Sequence, residues 1–212
     1  MPVYIKEEIV VPLLRRMRLP RTLMIEAGIK IAGERANVAE YEPPQVEGYE
    51  TWRWGTRFMR EEKELRDLGW VLCDRDQVAG IRNAALRIKL VVCTTDKNTG
   101  TERRPKNLTE KGAASRRLIA ANDTGQARMV FPGEVQKVEE PRDDLWYYCC
   151  HIDEQSIALE VSRPDEENAG FITRFSDRII VAAPGEIPGV RKFKVPEEFA
   201  DVPKPQVSRK IG

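Results

Sequence analysis

The 212-residue chain contains one histidine and four cysteines, so it has few side chains for metal, redox or acid–base chemistry. The cysteines lack the spacing of a disulfide framework, and three lie in apolar runs; they are Cys73, Cys93, Cys149 and Cys150. We therefore expect buried, reduced thiols. Cys149, His151 and Asp153 alternate along a predicted strand. Such residues lie about 7 Å apart, too far for a nucleophile and its base to hydrogen-bond, so we expect no catalysis there.

Several common functional signatures are absent. The chain has no Gly-x-Gly-x-x-Gly sequence and no phosphate-binding loop, which argues against nucleotide-dependent enzymes of those types, and we expect no cofactor. No apolar run approaches the roughly 20 residues of a membrane-spanning helix. The amino terminus lacks the basic-then-apolar order of a signal peptide. These features predict a cytoplasmic protein without a membrane partner.

Metal-dependent chemistry has little support in the sequence. The only Glu-x-Lys sequence, Glu61–Lys63, lies in a predicted helix, whereas a nuclease needs carboxylates clustered around its metal ion. A metal-dependent nuclease is the second alternative, and it requires Asp74, Asp76 and Glu160 to converge in the fold. The 96–100 sequence DKNTG faintly resembles a calcium loop, but its glycine and acidic positions do not fit, and it predicts a turn.

The charge distribution is the most informative feature that is present. Net charge is +1, yet residues 82–128 contain 11 basic and 4 acidic residues. Such asymmetry favours an anionic partner. We expect the phosphate contacts to be Arg103, Arg104, Lys106, Lys111, Arg116 and Arg117. Because no aromatic residue is interspersed among them, the sequence favours contact with backbone phosphates or duplex shape over stacked bases.

The hydrophobic pattern predicts an α+β fold: a mainly antiparallel sheet, about two helices, and extended proline-rich arms at both termini. The helices are expected after Gly55 and over 110–121. Strands are expected at 70–73, 84–95, 145–152 and 157–162, with one or two more before Pro184. Thr109 is the expected N-cap of the second helix. The predicted organisation is an arm at 1–48, a core domain at 49–183 and a second arm at 184–212.

Two tryptophans and two arginines occur together in ETWRWGTR, residues 50–57. Trp52 and Trp54 form either a recognition surface or a core anchor at a helix entry, and Arg53 can stack on an indole ring.

The lead hypothesis is a non-catalytic protein that presents its basic surface to nucleic acid or another polyanion. The first alternative is an assembly, structural or inhibitory protein that acts through protein–protein contacts or as a homo-oligomer, with its terminal arms lying across a neighbour.

Overall fold

The computed structural model describes residues 2–38, 42–43, 45–122 and 143–190. Within them the chain forms seven strands and five α-helices. The strands are β1 (Val3–Tyr4), β2 (Trp70–Cys73), β3 (Gly80–Asn83), β4 (Ile88–Thr94), β5 (Asp144–Ile152), β6 (Ser156–Asn168) and β7 (Phe171–Pro188). The helices are α1 (Glu7–Arg16), α2 (Arg21–Ala36), α3 (Gln45–Glu61), α4 (Lys63–Asp67) and α5 (Ala113–Asn122).

All seven strands belong to one sheet in the order β1-β7-β6-β5-β4-β3-β2. Side chains of a strand alternate between its two faces, and two hydrophobic clusters follow this alternation. Leu90, Val92 and Tyr148 belong to the cluster beneath α1–α4, whereas Val91 and Tyr147 belong to the cluster beneath α5. The fold therefore has three layers, and the four-helix layer covers most of the core.

The expectation of a mainly antiparallel sheet is wrong, because the sheet is mixed. Strand β4 pairs with β5 in parallel, and β1 pairs with β7 in parallel. Parallel neighbours require a crossover connection, and α5 belongs to the one that joins β4 to β5. The sequence contained an indication of this parallel pairing, since the predicted helix at 110–121 separates two predicted strands. Pro164 also does not end β6, which continues past bulges on either side of that residue.

The expectations of about two helices and an extended amino-terminal arm are also wrong. Helix α1 contains Pro12, yet Val10 and Leu14 are buried in the core, so packing outweighs the hydrogen bond that proline loses. Helix α2 buries Leu23, Ala27 and Ile31 at helical spacing, a pattern that the proline-based interpretation overlooked. The amino-terminal residues therefore belong to the core layer. Of the second arm predicted at 184–212, residues 184–188 belong to β7, and residues 191–212 lie outside the described part of the chain.

Helix α3 begins at Gln45, eleven residues before the predicted position, and so includes the whole of residues 50–57. Strand β4 is shorter than predicted, and residues 84–87 instead form the turn after β3. The α5 helix begins at Ala113, so Thr109 is not its N-cap. No helix in the described part of the chain combines the length and apolar character needed to cross a membrane.

Candidate functional site

A crevice of about 640 Å³ opens at the carboxyl ends of the parallel strands β4 and β5. This is the edge of a mixed α/β sheet at which ligands commonly bind, and the volume lies within the range of small-molecule sites. We call it the β4–β5 crevice. It is lined by residues from α2, α3, β4, β5 and the segment after β4, namely Arg35, Gln45, Glu47, Gly48, Tyr49, Trp52, Val92, Thr94, Thr95, Leu108, Thr109, Glu110, Lys111, His151 and Ile152.

The first turns of α3 form an aromatic wall of the crevice. Tyr49 and Trp52 are three residues apart and therefore share a helix face. Their ring centroids are 5.8 Å apart with an interplanar angle of 41°. Tyr49 is 57% exposed and Trp52 is 37% exposed, although such residues are usually buried in the core. Two adjacent exposed rings beside a crevice provide aromatic faces, inclined to each other, on which a planar group can stack.

The other wall comes from residues 96–110, which we call the 96–110 loop. It returns alongside the end of β4, because Thr95 and Asn107 form a β-bridge and the Leu108 amide donates to the Thr94 carbonyl. Asn107 is buried on the α5 side, where its amide bonds to residues of the β6–β7 hairpin. Lys106 and Leu108, its neighbours, therefore lie on the opposite side, with Leu108 59% exposed in the crevice.

Polar side chains at the base of the crevice are held by specific contacts. Arg35 contacts Glu47 at 2.6 Å and donates to the Ile152 carbonyl at 2.9 Å. His151 Nδ1 lies 3.2 Å from the Thr95 carbonyl oxygen. Its Nε2 lies 3.3 Å from Asp153, so the expected separation of about 7 Å is wrong for this pair of side chains. Burial by itself raises the pKa of Asp153, but amide donors from Ser156 and Gln155, together with His151, outweigh that effect and lower it. These contacts fix the shape of the crevice.

The 96–110 loop is fastened to the sheet by a buried ion pair. Arg178 and Glu160 are both fully buried, with Nη2 2.5 Å from Oε2 and Nε 3.0 Å from Oε1. Arg178 also donates to the loop carbonyls of Thr101 and Arg103 at 3.0 Å, and Glu160 accepts the Gly100 amide. The positively charged segment that follows β4 is therefore anchored to the sheet through Gly100, Thr101 and Arg103, although its basic side chains are exposed.

Gly100 allows the loop to approach the sheet. Its φ is +74°, and a Cβ atom there would lie 2.7 Å from the Ala182 carbonyl oxygen. We predict that Gly100→Ala lowers the free energy of unfolding by about 1–3 kcal/mol. Gly112→Ala is the matched control, because an added Cβ would meet no atom within 4 Å. Urea denaturation of both variants measures the difference, and equal stabilities would contradict the proposed close approach.

The six predicted phosphate contacts do not form one continuous face. Arg103 and Lys106 are exposed on the 96–110 loop. Arg104 donates to the Thr173 carbonyl, and Arg116 pairs with Glu167 at 2.9 Å. Acidic residues of the β6–β7 hairpin therefore interrupt the basic surface. The other two predicted phosphate contacts, Lys111 and Arg117, lie elsewhere.

Lys111 extends toward the interior, and Arg117 lines a separate cavity at the other end of β4. The Lys111 ammonium lies 5.1 Å from the Tyr147 ring centroid. Burial alone lowers the pKa of Lys111, but interactions with Cys93 and Tyr147 outweigh it and raise it. Lys111 is thus a partly buried cation that also contributes to the crevice wall. All four cysteines are buried and free, which confirms the prediction of buried thiols without disulfide bonds.

The candidate nuclease carboxylates are not assembled into a metal site. Asp74 pairs with Arg60, and Glu160 is occupied by Arg178. Among the described residues, no group of three or more histidine, cysteine or acidic side chains is arranged to hold a metal ion. The 96–100 sequence forms the predicted turn, with the Asp96 carboxylate accepting the Asn98 and Lys106 amides.

The structure separates the two tryptophans that the sequence grouped together. Trp54 packs against the core, where Arg53 and Arg57 lie 5.0 and 5.1 Å from its ring, so the predicted arginine stacking is confirmed. Trp52 faces the crevice instead. Sequence reasoning did not select Tyr49 or Leu108. The i, i+3 spacing of Tyr49 and Trp52 would have indicated a shared surface once the helix was extended to Gln45.

No protein-family model, curated protein or solved structure matches this chain.

Proposed function

We propose that this protein binds single-stranded nucleic acid, with an unpaired base in the β4–β5 crevice and the adjacent phosphates on the 96–110 loop. The observation that carries the proposal is the exposed Tyr49–Trp52 pair opposite Leu108 in a crevice of about 640 Å³. Base stacking on aromatic side chains is the main sequence-tolerant interaction of single-strand binding. In a duplex the bases are stacked on one another, so their faces are not accessible to Tyr49 and Trp52.

Charge on the loop supports the same proposal. Lys106 is exposed and precedes by two residues Leu108, which lines the crevice. Residues two apart in an extended segment are about 7 Å apart, close to the spacing of successive phosphates in an extended strand. Arg103 is exposed on the same anchored loop. A base in the crevice would therefore bring its phosphate close to positive charge.

Fluorescence anisotropy with labelled oligothymidylate and with duplex DNA, over a range of salt concentrations, tests this function. We expect tighter binding to the single strand, with the logarithm of affinity falling linearly as the logarithm of salt concentration rises. Comparable RNA and DNA single strands should both bind, because stacking does not require a particular sugar. Salt-independent binding, or no binding at low salt, would contradict the proposal.

The Lys106→Ala variant tests the phosphate contact separately from the aromatic wall. It should weaken oligothymidylate binding and reduce the steepness of the salt dependence by about one phosphate equivalent. Lys6→Ala is the matched control, since it removes the same charge from an exposed position beside β1. If the two variants behave alike, the loop lysine has no specific contact and the effect reflects net charge alone.

A further inference from the structure

A second cavity, of about 460 Å³, lies on the α5 side of the sheet at the amino ends of β4 and β5. We call it the Lys89 cavity. Lys89 and Leu145 are register partners on the two strands and form its floor. Ala114, Arg117 and Leu118 of α5 cover one side, and Arg75 and Asp76 border the other. It is at the opposite end of these strands from the β4–β5 crevice, so it does not depend on the function proposed above.

Lys89 is unusual because its charged side chain is almost completely buried. The residue is 3% exposed, and its ammonium donates to the Arg75 carbonyl oxygen at 2.6 Å. Burial lowers the pKa of Lys89, and the nearby acidic groups, Asp76 and Asp143 among them, offset this only in part. A buried ammonium has three donors, and it is stabilised when an anion comes within reach.

The charges around the cavity favour an anion. Its lining contains three basic residues, Arg75, Lys89 and Arg117, against two acidic residues, Asp76 and Asp143. Asp143 is already engaged by Arg82, whose Nη2 donates to Oδ1 at 2.9 Å and whose Nε donates to Oδ2. Arg75 is likewise engaged, so the side chains that remain for an incoming group are Lys89 and Arg117 against Asp76, and the balance is still positive. Arginine and lysine together are the usual partners of a phosphate group.

We propose that the Lys89 cavity binds the phosphate group of a phosphomonoester, with Lys89 at the base and Arg117 at the rim. The volume exceeds that of the phosphate itself, and Ala114, Leu118 and Leu145 provide an apolar side for the rest of the molecule. The backbone beside it is held in an uncommon conformation, since Asp76 has φ 59° and Gln77 has φ 58°. Such conformations in non-glycine residues concentrate at ligand sites.

Isothermal titration of the full chain with inorganic phosphate and with phenyl phosphate, at constant ionic strength against chloride, tests the proposal. Both ligands should bind, and phenyl phosphate should bind more tightly because its ring contacts the apolar side. Arg117→Ala should weaken binding roughly tenfold by removing one charge-assisted hydrogen bond. Arg66→Ala, at an exposed position on α4, is the control and should leave it unchanged.

Lys89→Met keeps the length and apolar character of the side chain and should abolish phosphate binding. Arg117 is exposed, so its variant reports on binding even if the Lys89 variant does not fold. Trp52→Ala should leave phosphate binding intact, which separates this proposal from the crevice. No phosphate binding by the wild type, or equal binding by Arg117→Ala and Arg66→Ala, would overturn it.

The phosphate has two possible sources, a small phosphomonoester or the terminal phosphate of a nucleic acid. Oligothymidylates with a 5′-phosphate and with a 5′-hydroxyl group, used as competitors of phenyl phosphate, distinguish them. Stronger competition by the phosphorylated strand identifies a nucleic-acid end. If neither strand displaces phenyl phosphate, the ligand of the cavity is a small phosphomonoester.

Discussion

The Glu160→Gln variant should lose about 3–5 kcal/mol of unfolding free energy, the cost of breaking a buried ion pair on one side only. The substitution keeps the size of the side chain but removes its charge, and it leaves the Arg178 guanidinium at a fully buried position without compensation. A domain of this size is typically stable by only about 5–15 kcal/mol. The variant should therefore unfold at a much lower urea concentration.

Glu166→Gln is the matched control, because Glu166 forms a half-exposed pair with Arg174 at 3.0 Å. The same chemical change there should cost less than about 1 kcal/mol. A second consequence concerns the loop, since Arg178 holds the Thr101 and Arg103 carbonyls only while it is itself fixed. Amide hydrogen exchange in the 96–110 loop should accelerate in Glu160→Gln under native conditions. Equal stabilities for the two variants would show that this pair does not anchor the loop.

The Trp52→Ala variant should bind oligothymidylate about 5- to 150-fold more weakly, which corresponds to the 1–3 kcal/mol measured for stacking one base on an aromatic ring. Tyr49→Ala should have a smaller effect of the same sign if Trp52 makes the closer contact. Because Trp52 is only 37% exposed, its loss also removes buried apolar area and should lower the free energy of unfolding. Affinity and unfolding free energy measured on the same preparations separate the two effects.

Phe171→Ala is the control for an exposed aromatic side chain. Phe171 is 40% exposed at the start of β7, outside the residues that line the crevice. Its removal should leave oligothymidylate affinity unchanged. If Trp52→Ala and Phe171→Ala bind equally well, the aromatic wall does not stack a base, and any remaining binding comes from phosphate contacts.

Local pattern was sufficient to predict several elements of the fold. Alternation predicted β4, β5 and the start of β6, and helical spacing predicted α5 and the later part of α3. Proline content misled the interpretation of the amino terminus, because a buried helix face at Val10 and Leu14 compensates for Pro12. The parallel pairing of β4 with β5 requires a crossover connection that returns the chain to the same end of the sheet. Alternation within each strand does not show whether two strands pair in parallel or antiparallel.

The candidate site was less accessible to sequence reasoning than the fold. Positive charge drew attention to the loop after β4, which lines the crevice, but the aromatic residues on the other wall come from α3, more than forty positions earlier in the chain. The anchor of that loop, Arg178 with Glu160, brings together residues from two late strands. Charge composition also did not distinguish exposed Lys106 from inward-pointing Lys111. Such distinctions depend on which face of an element each residue occupies.

The most direct test of base stacking in the β4–β5 crevice compares oligothymidylate with an abasic strand of the same length and charge, both titrated against the wild-type protein at one salt concentration. We expect the abasic strand to bind about tenfold more weakly or worse, because the phosphates remain while the stacked base is lost. We also expect Trp52→Ala to bind the two strands with similar affinity. Equal affinity of the wild-type protein for both strands would rule out base stacking in the crevice and would assign all binding to the phosphates.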